Sequence, residues 1–315
     1  MDYYYPEQFY TLFIDNISLT HHINRRLRKA LKRRFFALKN QGTLVNYKKR
    51  NKVSAKSKTP FSKKIYKYSA ELRFKYKDIS TCAHLSLEPF RRKKGETRYF
   101  RIEFNPSYIS PRDMDKLISL LTYLLAESMN SFYEEANVTR VDFTIDIPNI
   151  RVGELLMRGP GFNNGKLHRD PWGRLLTTQL GTARKIVKLY DKKAEIEIKV
   201  KLCNNEPDVT RLEIRIKPNM LIPELKSLSN PFLDLKFYTT RIDPDDFDPE
   251  FIHLMQKEGL QTAFTDLRKR KLRSLQNKLT KYRTELFDPQ KIWEGLDDAI
   301  AFLKRFRYKN TFQKF

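Results

Sequence analysis

The sequence predicts an α+β fold: a mainly antiparallel central sheet with helices packed on one face, and a helical C-terminal appendage. Three observations predict it. Between residues 68 and 220, segments that alternate polar and apolar residues, or are rich in branched and aromatic ones, follow one another closely. A single strongly amphipathic segment interrupts them. From about residue 224 onward the pattern becomes mostly helical.

The elements follow in chain order. "FYTLFID" reads as an apolar strand, and no acidic residue then occurs from Asn16 to Ala70. Within that stretch Ile23, Leu27, Leu31, Phe35 and Leu38 fall at helical spacing, with arginine and lysine on the other faces, so a basic amphipathic helix is expected. "YKKRNKVSAKSKTPFSKK" reads as a polar basic loop. The strands are "YSAELRFKY", "AHLSLEPF", "TRYFRIEF", "VTRVDFTIDI", "RLLTTQL", "RKIVKLYD" and "VTRLEIRIK". The interrupting helix, "SPRDMDKLISLLTYLLAESMNSF", has Ser110 as N-cap, Pro111 in the first turn and Asp113 near the positive end of the dipole. Its apolar face is Met114, Leu117, Ile118, Leu121, Leu124, Leu125, Met129 and Phe132. In the C-terminal part "PDDFDPEFIHLMQKEG" and "DPQKIWEGLDDAIAFLKRF" open on acidic-proline caps and flank the basic "DLRKRKLRSLQNKLTKYR".

Composition narrows the function. Lys and Arg number 62 against 37 Asp and Glu, a net charge of +25. That excess predicts a polyanionic partner, nucleic acid before an anionic membrane surface. The two cysteines, Cys82 and Cys203, form no disulfide framework or zinc cluster, which fits a reducing cytoplasm. The first ten residues lack the basic and apolar regions of a signal peptide, and no apolar run reaches the roughly 18–20 residues of a membrane span.

Three strands share a pattern. Arg101 and Glu103 alternate on the first, Arg140, Asp142 and Asp146 on the second, Arg211 and Glu213 on the third. Strand side chains alternate between faces, so these residues share a polar face. Phe100, Ile102, Phe104, Val141, Phe143, Ile145, Leu212, Ile214 and Ile216 would form the core face. Carboxylates at the centre of a polyanion-binding surface repel phosphate unless a cation intervenes. Glu103, Asp142, Asp146 and Glu213 are therefore candidate ligands for Mg²⁺ or Mn²⁺. The competing reading is a set of arginine–carboxylate pairs on a solvated face.

On "KIVKLYDKKAE", Ile186, Lys188 and Tyr190 share a face, and Lys192, Lys193 and Glu195 follow. A tyrosine hydroxyl, with a pKa of about 10, is a poor nucleophile at neutral pH. Lysines and a cation nearby would favour its phenolate, which suits a transesterification through a phosphotyrosine. A half-buried structural tyrosine is the plain alternative. No glycine-rich phosphate loop, His-x-His pair or zinc spacing occurs.

Taken in order, "FRIEFNPSYI", "TRVDFTID", "TTQLGTARKIVKLYDKKAE" and "VTRLEIRIK" resemble the replication initiation factor family. These are rolling-circle initiators of staphylococcal-type plasmids and related mobile-element relaxases and phage initiators. The resemblance covers about residues 95–220 and departs in "GTARK", which lacks the serine often found after the basic residue. It implies that Tyr190 is the nucleophile and forms a 5′-phosphotyrosine link, with Lys188, Lys192 and Glu195 in the same catalytic group. It also implies an acidic metal site, with Asp142 and Glu213 as the leading ligands. Residues 1–223 would form the nicking and strand-transfer domain and 224–315 a basic helical region. Arg25, Arg26, Arg33, Arg140, Arg184, Arg211, Arg268, Lys269 and Arg270 are the candidate DNA contacts. The implied partners are an origin hairpin and single-stranded DNA in a bacterial cytoplasm, with a host helicase, a polymerase and a second copy of the chain also in view. A conjugative relaxase of the same chemistry, or a DNA- or RNA-binding protein without catalysis, are the competing functions.

Overall fold

The computed structural model describes residues 10–49, 66–76, 79–89, 99–159, 161–162, 165–181, 184–195, 208–265 and 269–307. In chain order the first strands and helices are β1 (Phe13–His22), α1 (Arg25–Asn40), β2 (Val45–Lys49), β3 (Tyr66–Tyr76), β4 (Ile79–Pro89), β5 (Tyr99–Phe104), α2 (Pro111–Leu125), α3 (Phe132–Glu135) and β6 (Asn137–Pro148). There follow β7 (Leu155–Arg158), β8 (Gly165–Arg169), β9 (Leu175–Gly181), β10 (Lys185–Asp191), β11 (Val209–Ile216), β12 (Met220–Leu221) and β13 (Lys236–Thr239). The chain continues with α4 (Pro249–Glu258), α5 (Leu260–Thr265), α6 (Lys269–Thr280), β14 (Arg283–Thr284) and α7 (Pro289–Glu294). The architecture is α+β, and its large sheet has eleven strands.

The chain forms two compact units, each built from three segments. One comprises Ile14–Asp142, Lys217–Leu228 and Asp297–Phe315; the other comprises Met1–Phe13, Phe143–Ile216 and Ser229–Leu296. The boundary expected at residue 223 therefore does not separate the compact units, because the C-terminal region contributes to both.

In the first unit the strand order is β2-β3-β4-β5-β1-β6, and β2/β3, β3/β4, β4/β5 and β5/β1 pair antiparallel. β1 runs to His22, well beyond the expected "FYTLFID", because Ile17, Leu19 and His21 stand opposite Phe104, Ile102 and Phe100 of β5 and are buried with them. The basic helix forms as expected. The Asn24 side chain caps it by accepting from the Leu27 amide at 2.8 Å, and Leu27, Leu31, Phe35 and Leu38 are buried. Phe35 meets Phe100 of β5 edge-on, placing the helix on the sheet's apolar face. Helix α2 is capped by Ser110, which accepts from the Asp113 amide at 3.1 Å. It stops at Leu125, short of the expected run, but Met129 and Phe132 stay buried in the short turns beyond it. Part of the expected basic loop, Tyr47–Lys49, lies in β2; residues 50–64 of that loop lie outside the described residues.

His21 gives this unit a pH dependence. Its ring is buried, 5.4 Å from that of Phe132. Burial lowers its pKa from the ordinary 6.5, while Glu135 pulls it up and His22 pushes it down. The unfolded chain then binds a proton at a higher pH than the folded one. Stability conferred by His21 is thus present above 6.5 and lost as pH falls below it, with a limiting slope of about 1.4 kcal/mol per pH unit. Urea denaturation across this range is expected to show a flatter profile for His21→Leu. An identical profile would assign the dependence to other groups.

In the second unit β11-β10-β9-β8 are neighbours in that order, with antiparallel pairing throughout. A second sheet, β14-β13-β7, is also antiparallel. Asp248 and Asp288 cap α4 and α7, each followed by proline, as the sequence predicts. Phe247, Phe251, Met255, Phe264, Leu275 and Leu279 form a buried cluster among α4, α5 and α6. Among the described residues no helix is long and apolar enough to cross a membrane.

Candidate functional site

The polar face of the first unit is a charge-compensated cluster. Arg140 donates from Nε to Asp142 Oδ1 at 2.9 Å and from Nη2 to Oδ2 at 2.5 Å, and its Nη1 reaches Glu103 Oε1 at 2.8 Å. Arg101 donates to Glu103 Oε2 at 2.5 Å and to Ser18 Oγ at 2.6 Å. Arg101 and Glu103, and Arg140 and Asp142, sit two apart on β5 and β6, and Ser18 of the intervening β1 stands opposite Glu103, so alternation puts them all on one face. Asp142 is buried, 1% exposed, while Arg101, Glu103 and Arg140 are half-buried. On the opposite face, Phe100, Ile102, Phe104 and Val141 are buried as expected.

The polar face of the second unit carries Tyr190. The register sets Lys188 opposite Glu213 and Tyr190 opposite Arg211 on one side and Thr177 on the other. Lys188 Nζ lies 3.5 Å from Glu213 Oε1, and Arg215, which the sequence reading did not single out, donates to the same oxygen at 3.1 Å. Arg215 is two residues from Glu213, so alternation alone could have found it. Arg211 makes a bidentate pair with Asp146, at 2.6 and 2.7 Å, and its guanidinium stacks over Phe13. Such paired hydrogen bonds to a carboxylate fix the guanidinium plane. Tyr190, Arg211 and Glu213 are all buried. Phe143, Ile145, Leu212 and Ile214 form the opposite, buried face, while Ile216 is only half-buried.

After Tyr190 the chain makes one helical turn over residues 192–195. Asp191 caps it, its Oδ1 accepting from the Ala194 amide at 2.9 Å. Lys192 is buried and donates to Glu195 at 2.6 Å, so these two candidate catalytic groups neutralise each other. The charged run is therefore a capped turn that fixes the end of β10.

Glu103, Asp142, Asp146 and Glu213 offer the hard oxygens Mg²⁺ or Mn²⁺ prefer. Each is instead engaged by arginine or lysine nitrogens, so as arranged they do not fit the ion. Among the described residues the one group with three ligand atoms mutually within 4.8 Å is Glu71, Cys82 and His84, on β3 and β4. Its signal is a Cys-x-His pair on one strand face, with Glu71 opposite His84 in the register.

The expected DNA contacts divide by environment. Arg25, Arg26 and Arg33 are exposed on α1. That face is held outward because Arg28 and Lys32 pair with buried Glu88, at 3.2 and 3.0 Å, and Arg34 donates to the Leu124 carbonyl. Arg184 is exposed before β10, whereas Arg140 and Arg211 are occupied by carboxylates. Lys269 and Arg270 open α6, but their side chains, and all of Arg268, lie outside the described residues.

The chain matches no protein-family model, and no curated protein matches its sequence.

Proposed function

We propose that this protein binds DNA and nicks and rejoins one strand, with Tyr190 as nucleophile, in the manner of the rolling-circle initiators its motifs resemble. The observation that carries the reading is the placement of Tyr190. It is set in register beside Arg211, at the end of a strand closed by a capped turn, in a chain of net charge +25. In the nicking step Tyr190 Oη attacks phosphorus and the bond to the 3′ oxygen breaks. The phosphate stays on tyrosine at the 5′ end, and the 3′ oxygen leaves as a hydroxyl with, in net balance, the tyrosine's proton. Rejoining is the reverse step. Arg211 would meet the phosphate charge once its pair with Asp146 opens. The setting is a bacterial cytoplasm.

The test is to mix the protein with supercoiled DNA and with single-stranded oligonucleotides, in Mg²⁺, in Mn²⁺ and in chelator. A covalent adduct mapped by proteolysis and mass spectrometry to Tyr190 is the expected result. Its loss in chelator would restore a divalent ion to the site. An adduct on another residue would overturn the nucleophile. Tight binding without any adduct would make this a DNA- or RNA-binding protein without the chemistry.

A further inference from the structure

We infer that the tip of the β8–β9 hairpin is a stacking platform for an unpaired nucleic-acid base, with Trp172 as its flat face. Trp172 is 89% exposed, the most exposed large hydrophobic side chain among the described residues. A ring of that size left in water forgoes the burial that usually stabilises tryptophan.

The turn beneath it is firmly built. Asp170 Oδ1 accepts from the amides of Trp172, at 3.0 Å, and Arg174, at 2.8 Å. The Asp170 amide donates to the Arg174 carbonyl and the Gly173 amide to the Asp170 carbonyl, both at 3.0 Å. Gly173 adopts φ +84, which a residue with a Cβ resists. Arg169 clamps the turn from outside, donating to the carbonyls of Gly173 and Gln256. Trp172 is therefore held out on a rigid support, which lowers the cost of ordering it against a ligand.

Charge and register name the ligand. His168, Arg169 and Arg174 are exposed on or beside the tip, Lys166 is exposed farther down β8, and the carboxylate at the tip, Asp170, pairs with Arg174. An aromatic face on a hairpin that also carries exposed cations suits a strand with bare bases and a phosphate backbone; a duplex hides its base faces. His168, Thr177, Tyr190 and Arg211 are successive cross-strand partners from β8 to β11. They share one face, with His168 and Tyr190 two strand spacings apart, roughly 10 Å. Arg174 also reaches Asp191, the neighbour of Tyr190, at 4.0 Å. The platform thus lies beside the proposed nucleophile, and the claim that it holds the strand to be cut rests on that proposal.

Fluorescence anisotropy at fixed salt, with a single-stranded 12-mer and a duplex of the same length, tests the platform in the full chain. Trp172→Ala is expected to weaken single-strand binding roughly 5- to 100-fold and leave duplex binding unchanged, while Trp172→Phe keeps most of the affinity. No loss on the single strand, or an equal loss on both, would overturn it. Selective loss in a protein that forms no adduct would keep the platform and sink the chemistry; an adduct with no selective loss would do the reverse.

Discussion

Replacing Tyr190 by phenylalanine is expected to abolish the covalent protein–DNA adduct and leave DNA binding intact. The substitution removes one oxygen and keeps the ring, so β10 should retain its register with β9 and β11. The fold should lose no more than about 1.5 kcal/mol, the scale of a single hydrogen bond. Strand cleavage should fall roughly 10⁴-fold or more, because the proposed covalent intermediate forms on the Tyr190 oxygen that the substitution removes. Gel analysis of denatured reactions reads the adduct, and anisotropy reads the binding. Tyr66 is the natural control. It too stands beside an arginine on a polar face, near Arg101. Burial, its largest influence, pushes its hydroxyl up to about 12 despite the arginine's opposing pull, so it stays protonated. Tyr66→Phe should leave the adduct in place. Adduct formation that survives Tyr190→Phe and disappears in Tyr66→Phe would move the chemistry to the other polar face.

Much of this architecture was legible because local rules and burial agree in it. Helix α1 combines an Asn24 cap with an apolar spacing that ends buried, and α2 combines Ser110, Pro111 and a buried face. The R-x-E and R-x-D strands told their faces correctly, since period-two alternation is rigid geometry. What alternation could not tell is how deeply a polar face is buried. Asp142, Arg211 and Glu213 are nearly inaccessible, and their charges are tolerated because each carboxylate meets an arginine or lysine. The strands missed were polar or short: "GKLHR" of β8 carries one strong apolar residue, and β13 and β14 have four and two residues. β8 pairs locally with β9 and is hidden by its polarity, whereas β13 pairs with β7 and β14, partners distant in sequence that no window of residues contains. The same holds for the two units, each assembled from three separated segments. In "DKKAE" the lysines and Glu195 drew the reading, yet Asp191 has the side chain of a helix cap and serves as one.

Gly181→Ala is expected to disable the protein as thoroughly as loss of Tyr190, by a different route. Gly181 ends β9, in the "GTARK" hairpin that leads into β10, and pairs with Ile186. Its φ is +79, a conformation that side chains with a Cβ rarely adopt. A Cβ there would also lie 2.3 Å from the Lys185 carbonyl oxygen and 2.6 Å from the Phe162 ring. The ring could swing aside; the carbonyl belongs to the paired backbone and could move only with β10. Left-handed strain and overpacking cost about 1–3 kcal/mol each, so roughly 2–6 kcal/mol is expected together, a large share of a domain's whole stability. Relief would come from opening the first pairs of β9 and β10, the ladder that fixes Tyr190 opposite Thr177 and Arg211. Thermal or urea unfolding measures the first effect and adduct yield the second. Gly153→Ala is the matched control, since a Cβ there meets nothing within 4 Å and should cost little. If Gly181→Ala unfolds like the parent chain and still forms adduct, Gly181 is not held in this conformation against Ile186. A variant that stays folded at low temperature, binds DNA and forms no adduct would show that the glycine matters because it sets the register of the tyrosine strand.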